Sequence, residues 1–223
     1  MTSGDCVARK SSTDDPLRCV VLISGSGSGM EKLILHQQSN SLCCHQTVLV
    51  ISDKSSAAGL GKADTLGINN LAIELPDIDD TSQRRSNHES LISQAIEESG
   101  AELVILSGYM RILTPSFVDR WAPNLVNIHP SLLPHFPGAD AHSDVIASGA
   151  EVSGCTVHFV DSGVDSGAII AQCRVPRLPD DDVKSLAARV QVEEHIIYPQ
   201  IIDAIAQGRV FLEDNKVTID DVL

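Results

Sequence analysis

The stretch that decides the fold is "RCVVLISGSGSGM", residues 18–30. Its apolar first half predicts a buried strand, and the glycines and serines that follow predict a turn into a helix beginning near Met30. In such a turn glycine lets the backbone approach an anion, and the helix N-terminus offers unpaired N–H groups to a phosphate. Two other interpretations stay open: a tight turn without a ligand, and a dinucleotide fingerprint with Asp53 as the ribose-binding acid. The fingerprint fits poorly, because Met30 stands where its third glycine belongs.

The alternation of strands and helical segments continues along the chain. Residues 55–67 predict a helix, and the capping-box pattern at 86–89 predicts the start of another. Uniformly apolar strands between helices indicate a parallel sheet covered on both faces. The runs that predict these strands are "QTVLVIS" (46–52), "NNLAIEL" (69–75), "AELVILSG" (101–108) and "NLVNIHP" (124–130).

The last third of the chain has a different pattern. The runs "GCTVHFV" (154–160) and "AIIAQCRVP" (168–176) are separated by too few residues for a helical crossover, so we expect them to pair antiparallel. A long helix from about Val183, with Pro199 inside it, and a hairpin around Asp214-Asn215 complete the prediction. The expected fold class is α/β: a Rossmann-like, mostly parallel sheet with helices on both faces and an antiparallel C-terminal portion. Residues 1–17 are expected to form a flexible polar tail, and residues 18–223 a single domain.

Composition narrows the classes of function. The 223 residues include 16 basic and 30 acidic side chains, a net charge of −14, which argues against binding to nucleic acid or to an anionic membrane. Six cysteines without a CxxC pair suggest neither a zinc site nor a disulfide framework, so we expect no metal and a reducing, cytoplasmic location. The polar N-terminus does not resemble a signal peptide, and no run approaches the length of a membrane span.

Two polar residues stand out at the end of the fifth predicted strand, in "NIHPSLLPHFPG" (127–138). Asn127 and His129 are two residues apart and share one face of the strand, and Pro130 marks where that strand ends. Ligands of open parallel sheets bind beyond the carboxyl ends of strands, so this pair is a candidate site rather than a satisfied core histidine with a capping asparagine. A catalytic histidine benefits from a carboxylate partner, and the residues alone leave Asp161 and Asp165 as equal candidates.

Other polar residues are ambiguous by pattern alone. His158 is equally a pocket residue or a buried strand histidine. Gln191 and Glu194 share a face of the long helix, where a solvated polar stripe is the simpler interpretation.

Taken together, "VVLISGSGSGM", "LSGYMRIL", "NIHPSLLP", "GCTVHFVDSGVDSGAII" and "RVQVEEHIIYP" resemble the phosphoribosylglycinamide formyltransferase family over roughly residues 18–212. The resemblance implies transfer of a formyl group from the co-substrate 10-formyltetrahydrofolate to the amino group of glycinamide ribonucleotide. It also implies that the partners are small molecules and that the chain is a monomer or a homodimer.

The resemblance also assigns the site. The catalytic residues it implies are Asn127, His129 and Asp165, so Asp165 is preferred to Asp161 on that ground alone. The ribonucleotide residues it implies are Gly27, Ser28, Gly29, Gln191 and Glu194. The folate residues it implies are Arg84, Met110, Arg111, Ile112, Leu113, Asn127, Asp161, Ser162, Gly163, Val164 and Asp165.

This sequence departs from the family pattern at a few positions. Ser26 and Gly29 stand where many relatives carry asparagine, His135 where lysine is common, and Asp140 where some have histidine; we expect altered affinity rather than altered chemistry.

Three alternative functions share parts of the sequence pattern. A methionyl-tRNA formyltransferase is expected to add an RNA-binding domain, and a formyltetrahydrofolate hydrolase an N-terminal regulatory domain. A non-catalytic nucleotide-binding module would not need the catalytic triplet.

Overall fold

The computed structural model describes residues 5–220, with side chains from residue 7 onward. The strands are β1 (Asp5–Cys6), β2 (Leu17–Ile23), β3 (His45–Ser52), β4 (Asn70–Ala72), β5 (Leu103–Leu106), β6 (Leu125–His129), β7 (Val152–Phe159), β8 (Ile169–Pro176), β9 (Val210–Glu213) and β10 (Lys216–Ile219). The helices are α1 (Ser28–Ser39), α2 (Ala58–Thr65), α3 (Thr81–Ser99), α4 (Pro115–Trp121), α5 (Ala141–Ser148) and α6 (Val183–Ala206).

Seven strands form the main sheet, in the order β4-β3-β2-β5-β6-β7-β8. The first five in this order are parallel, and β7 and β8 each pair antiparallel with the preceding strand. The predicted α/β fold class is therefore confirmed, including its antiparallel portion. The chain builds outward in opposite directions from β2 and β5, so a crevice opens beyond the carboxyl ends of these two strands.

Helices cover both faces of the sheet because the strand residues alternate between two apolar clusters. Val21 belongs to a cluster with Met30 of α1 and Ile202 of α6, whereas its neighbour Leu22 belongs to a cluster with Ile92 of α3. All five side chains are fully buried. Burying each contributes roughly 1.5–3 kcal/mol, so the two layers hold the strand ends in fixed positions.

The segment before β2 differs from the predicted flexible tail. β1 pairs antiparallel with β9, and Val7 and Ala8 are buried beneath it. Arg9 then lies between Glu102 at 2.6 Å and Asp15 at 2.8 Å. The sequence pattern did not indicate this packing because the added strand has only two residues, and its partner hairpin lies about two hundred residues away. Residues 1–4 of the predicted tail lie outside the described residues.

The predicted capping box at 86–89 is wrong. α3 begins five residues earlier, where the side chain of Asp80 accepts a hydrogen bond from the Gln83 N–H at 2.7 Å. His88 and Glu89 lie inside the helix and are buried. His88 bonds to the Ile73 carbonyl at 2.7 Å, and the Glu89 carboxylate accepts from the N–H of the α4 N-cap Thr114 at 2.8 Å. Tertiary partners therefore override the local pattern.

Two other local predictions agree with the structure. α6 begins at Val183 and contains Pro199, and the β9–β10 hairpin turns at Asp214 and Asn215, both with positive φ. β4 is shorter than predicted, covering only Asn70–Ala72. Within residues 5–220 there is no helix with the length and apolar character needed to cross a bilayer.

Candidate active site

The crevice begins where the loops after β2 and β5 are joined. The Ser24 N–H donates to the Gly108 carbonyl at 3.1 Å, and the Met110 N–H donates to the Ser24 hydroxyl at 2.9 Å. The glycine loop 24–29 therefore lies beside the Met110–Leu113 segment. This arrangement places the start of α1 at the edge of the cleft.

The N-terminus of α1 is open. Gly27 is its N-cap, with φ of 64°, and provides no side chain to cap the helix. A Cβ at Gly27 would lie 2.7 Å from the Gly59 Cα, so both the backbone conformation and the packing require glycine. The amides of Ser28, Gly29 and Met30 have no acceptor in the helix, as in any first helical turn. Three donors and the positive end of the helix dipole can therefore meet an anion.

Helix α6 brings Gln191 to the glycine loop, and Glu194 lies on the same helix. The Gln191 side-chain amide donates to the Ser28 hydroxyl at 3.1 Å. Glu194 lies about one turn further along α6 and is partly buried, and this burial raises its pKa to about 7. The simpler interpretation of a solvated stripe is thus wrong for Glu194. Its carboxyl group changes charge close to neutral pH beside the proposed ribonucleotide site.

Asn127, His158, His129 and Asp165 meet at the end of β6. The His158 ring places Nδ1 2.8 Å from the Phe159 carbonyl, which can only accept, so Nδ1 carries the proton. The other nitrogen, Nε2, then accepts from the Asn127 amide at 3.2 Å. Burial lowers the pKa of His158, which agrees with a neutral ring. His158 therefore orients the Asn127 amide. Because its ring is neutral, His158 forms no ion pair with Asp165, whose carboxylate oxygen lies 3.7 Å from His158 Nε2.

His129 lies between two acceptors. Its Nδ1 is 3.3 Å from an Asp165 carboxylate oxygen, and its Nε2 is 2.9 Å from the Phe136 carbonyl. The same Asp165 oxygen accepts the Gly138 N–H at 2.8 Å. A doubly protonated ring donates to both acceptors, whereas either neutral tautomer leaves one of them facing a bare nitrogen. The arrangement therefore suits a positively charged His129 beside a half-buried carboxylate.

The two aspartates of loop 160–168 have different surroundings. Asp161 accepts from the Gly163 N–H at 3.1 Å and the Ser166 hydroxyl at 2.8 Å, which is the pattern of a turn-forming side chain. Asp165 has a φ of 50° and lies beside His129. Only the fold separates these two candidates, because their spacing in the sequence is equally compatible with either role.

A cleft of about 370 Å³ lies between these groups and the Met110–Leu113 segment. Arg111 is held at one side, 3.7 Å from the buried Asp53, and the Ile112 carbonyl accepts from Arg85 at 2.7 Å. Predicted residues on the wall are Met110, Arg111, Ile112, Leu113, Asn127, His129, Asp161, Gly163, Val164 and Asp165. The predicted residues Arg84 and Ser162 do not line it. The structure adds Arg85 and the Phe136 carbonyl, which the pattern did not identify, and it places Asp53, considered only as a ribose-binding acid, beside Arg111.

A second polar cluster lies away from the cleft. His36, Cys43, His45 and Asp203 place possible ligand atoms within 4.8 Å of one another. The Thr47 N–H donates to the Gln37 side-chain oxygen at 3.0 Å, which fixes the orientation of that amide group. The Gln37 side-chain nitrogen therefore donates to His45 Nδ1 at 2.9 Å. His45 Nε2 then carries the proton and donates to Asp203 at 2.9 Å. A metal on that nitrogen would disrupt this chain, and the hydrogen bonds account for the positions of Gln37, His45 and Asp203.

Comparisons with known proteins agree with this geometry. The formyl transferase family pattern matches residues 17–202. A phosphoribosylglycinamide formyltransferase of Escherichia coli is 38% identical over 92% of this chain and 94% of its own length. The trifunctional purine biosynthetic protein adenosine-3 of Bos taurus is 42% identical over 89% of this chain, which spans only 19% of that protein.

Solved structures give the same result. Glycinamide ribonucleotide transformylase 1 from Symbiobacterium toebii superposes with a TM-score of 0.87 at 37% identity, covering 92% of this chain and 95% of that one. Phosphoribosylglycinamide formyltransferase from Anaplasma phagocytophilum gives a TM-score of 0.84 at 36% identity, covering 93% and 96%. These matches agree with the open helix N-terminus and with the cleft that the Asn–His–Asp group lines, and they lead to one conclusion: the chain belongs to the formyl transferase family.

Proposed function

We propose that this protein transfers the formyl group of 10-formyltetrahydrofolate to the amino group of glycinamide ribonucleotide, giving formylglycinamide ribonucleotide and tetrahydrofolate in purine biosynthesis. The observation that carries the proposal is that Asn127, His129 and Asp165 line one cleft, at the same edge of the sheet as the N-terminus of α1, so two distinct binding regions adjoin them. One is the open N-terminus of α1, which suits a phosphate. The other is the cleft lined by Met110–Leu113 and residues 161–165, which suits a flat, hydrogen-bonding ring.

In the proposed reaction the ribonucleotide amine attacks the formyl carbon. A tetrahedral centre forms, and its oxygen gains negative charge. The Asn127 amide, oriented by His158, and the protonated His129 donate to this oxygen. Removing one such donor commonly costs about 10²–10³ in rate. His129 can make this bond only by exchanging its Phe136 carbonyl partner for the substrate oxygen, so a bond to a neutral acceptor is replaced by a bond to an oxygen that gains negative charge.

Asp165 balances the charge of His129 throughout this step. As the tetrahedral centre collapses, the attacking nitrogen loses a proton and the folate nitrogen that leaves gains one, so protons balance. We propose that Asp165, with a water molecule, passes this proton, since it is held at the cleft wall by the Gly138 N–H. Asn127, His129 and Asp165 are thus the proposed catalytic residues. Gln191, Glu194 and the glycine loop hold the ribonucleotide.

The proposal includes the setting of the reaction. The described cysteines, from Cys19 to Cys173, are free thiols, which suits a reducing compartment such as the cytoplasm. Both substrates are small molecules, and the chain charge of −14 disfavours a tRNA acceptor. No metal is needed for the proposed steps. Whether the protein is a monomer or a homodimer stays a prediction.

The test is formyl transfer by the purified protein, followed by the absorbance change of the folate, with and without the ribonucleotide. We expect turnover only when both substrates are present. We expect Asn127→Ala/His129→Ala to lose at least 10³-fold in kcat. The exposed Asp144→Asn, on α5, is the matched control for Asp165→Asn, and only the latter should lose activity. Folate consumption without ribonucleotide would favour the hydrolase alternative, and ligand binding without turnover would favour the binding module.

A further inference from the structure

Ser107 follows β5 directly and has no assigned role in the proposed reaction. Its N–H donates to the Leu22 carbonyl at 3.0 Å, which fixes the backbone at the end of the sheet. The residue is only 9% exposed. Its hydroxyl has no hydrogen-bond partner within residues 5–220, and its oxygen is not among the fully buried atoms, so a ligand can reach it. An unpaired donor on a residue that is mostly enclosed but open toward the crevice is therefore available to a ligand.

The hydroxyl lies against the first turn of α1. A Cβ at Gly29 would come within 2.6 Å of the Ser107 oxygen and would meet no other side chain within 4 Å. Gly29 does not have a positive φ, so the backbone conformation does not require glycine there. A side chain at position 29 would therefore have to displace the Ser107 hydroxyl from its present position. The two residues are therefore matched in size, although they are far apart in the sequence.

The direction of the hydroxyl is informative. In an α-helix the Cα–Cβ bond is tilted toward the N-terminus, so an atom in the Cβ position of Gly29 lies toward the open end of α1. That end presents the amides of Ser28, Gly29 and Met30. We propose that Ser107 is a substrate-binding residue whose hydroxyl donates to the phosphate of the ribonucleotide at this end of α1. This inference rests on the proposed function.

Substitutions at Ser107 and Gly29 should change the affinity for the ribonucleotide in a testable way. We expect Ser107→Ala to raise the KM for the ribonucleotide about tenfold, the effect of losing one hydrogen bond to a charged group. The kcat and the KM for the folate should stay within twofold. Gly29→Ala should weaken binding similarly, because its Cβ displaces the hydroxyl. In Ser107→Ala/Gly29→Ala the effects should not add, since the space is then free.

Binding of inorganic phosphate tests this inference independently of the proposed function. It can be measured by competition with the ribonucleotide and by thermal-shift titration. Ser107→Ala should bind phosphate about tenfold more weakly even if the wild-type protein does not use glycinamide ribonucleotide. Ser148→Ala, on α5, is the control and should bind phosphate normally, since its hydroxyl bonds to the Val145 carbonyl. Unchanged phosphate affinity in Ser107→Ala would overturn the inference. Equal losses for folate and phosphate would also overturn it, because they would indicate a merely structural role.

Discussion

Glu194 couples the stability of the protein to its proposed ribonucleotide site. Burial raises the pKa of its carboxyl group from an ordinary value of 4.5 to about 7. Folding therefore favours the neutral form, and the resulting stability is fully present below pH 4.5 and is lost as the pH rises through about 7. At about 1.4 kcal/mol per pH unit, this span corresponds to about 3 kcal/mol. Since Glu194 is only partly buried, solvent reduces the effect, and we expect about 1–3 kcal/mol.

The perturbation is Glu194→Gln, which keeps the shape and removes the charge. We expect the variant to exceed the wild-type free energy of unfolding by about 1–3 kcal/mol at pH 8 and to differ little at pH 4.5. In the wild-type protein we expect the ribonucleotide KM to fall as the pH rises through about 7, because only the ionised carboxylate is a charged acceptor for substrate hydroxyl groups. In Glu194→Gln the KM should be higher and should no longer fall over this range.

Urea unfolding at several pH values measures the stability difference, and steady-state kinetics over the same range measures the KM. The neighbouring Glu193, whose carboxylate accepts from the Cys173 thiol at 3.3 Å, gives the control variant Glu193→Gln. Its stability relative to wild type should not depend on pH in this way. A constant difference between Glu194→Gln and wild type from pH 4.5 to 8 would refute the reasoning, because it would mean that the carboxyl group is not desolvated on folding.

Three further substitutions test other parts of the structure. Gly27→Ala should lower the free energy of unfolding by at least ~1–2 kcal/mol in urea titration, because φ of 64° and the Gly59 backbone at 2.7 Å both oppose a side chain; unchanged stability would contradict this. Burial opposes ionisation of Asp203, but the hydrogen bonds that His45 and His36 make to its carboxylate outweigh it and lower its pKa. Asp203→Asn should therefore cost about 2 kcal/mol at pH 7, and the deficit should shrink as the pH falls below 3.8; a deficit independent of pH would be inconsistent with the pairing. His158→Phe should reduce kcat without changing the ribonucleotide KM, because the Asn127 amide loses its orienting acceptor; an unchanged kcat would remove His158 from the account.

The sequence predicted those features that depend on local pattern. The apolar runs that form β2, β3, β5 and β6 are buried on both faces, so their composition alone indicates a parallel sheet. The short connection between β7 and β8 excludes a helical crossover, and the pair is indeed antiparallel. Asn127 and His129 also stand out locally, since both lie at a strand end.

Features that depend on distant partners could not be predicted in this way. Asp161 and Asp165 are indistinguishable by spacing, and only the loop conformation places Asp165 beside His129. The start of α3 was misplaced because buried contacts of Glu89 with the α4 N-cap are invisible in a local pattern. The match of Ser107 with Gly29 likewise requires two loops from different strands to meet.

The central claim is that the glycine loop and the Asn–His–Asp group serve one transfer reaction, and the fate of the formyl carbon tests it most directly. Folate carrying a ¹³C-labelled formyl group would be incubated with the protein and glycinamide ribonucleotide, and the products would be followed by NMR. The account predicts that the label appears in the formamide of the ribonucleotide, and that Asn127→Ala/His129→Ala abolishes this signal. Label recovered as free formate at the same rate with and without the ribonucleotide would contradict it.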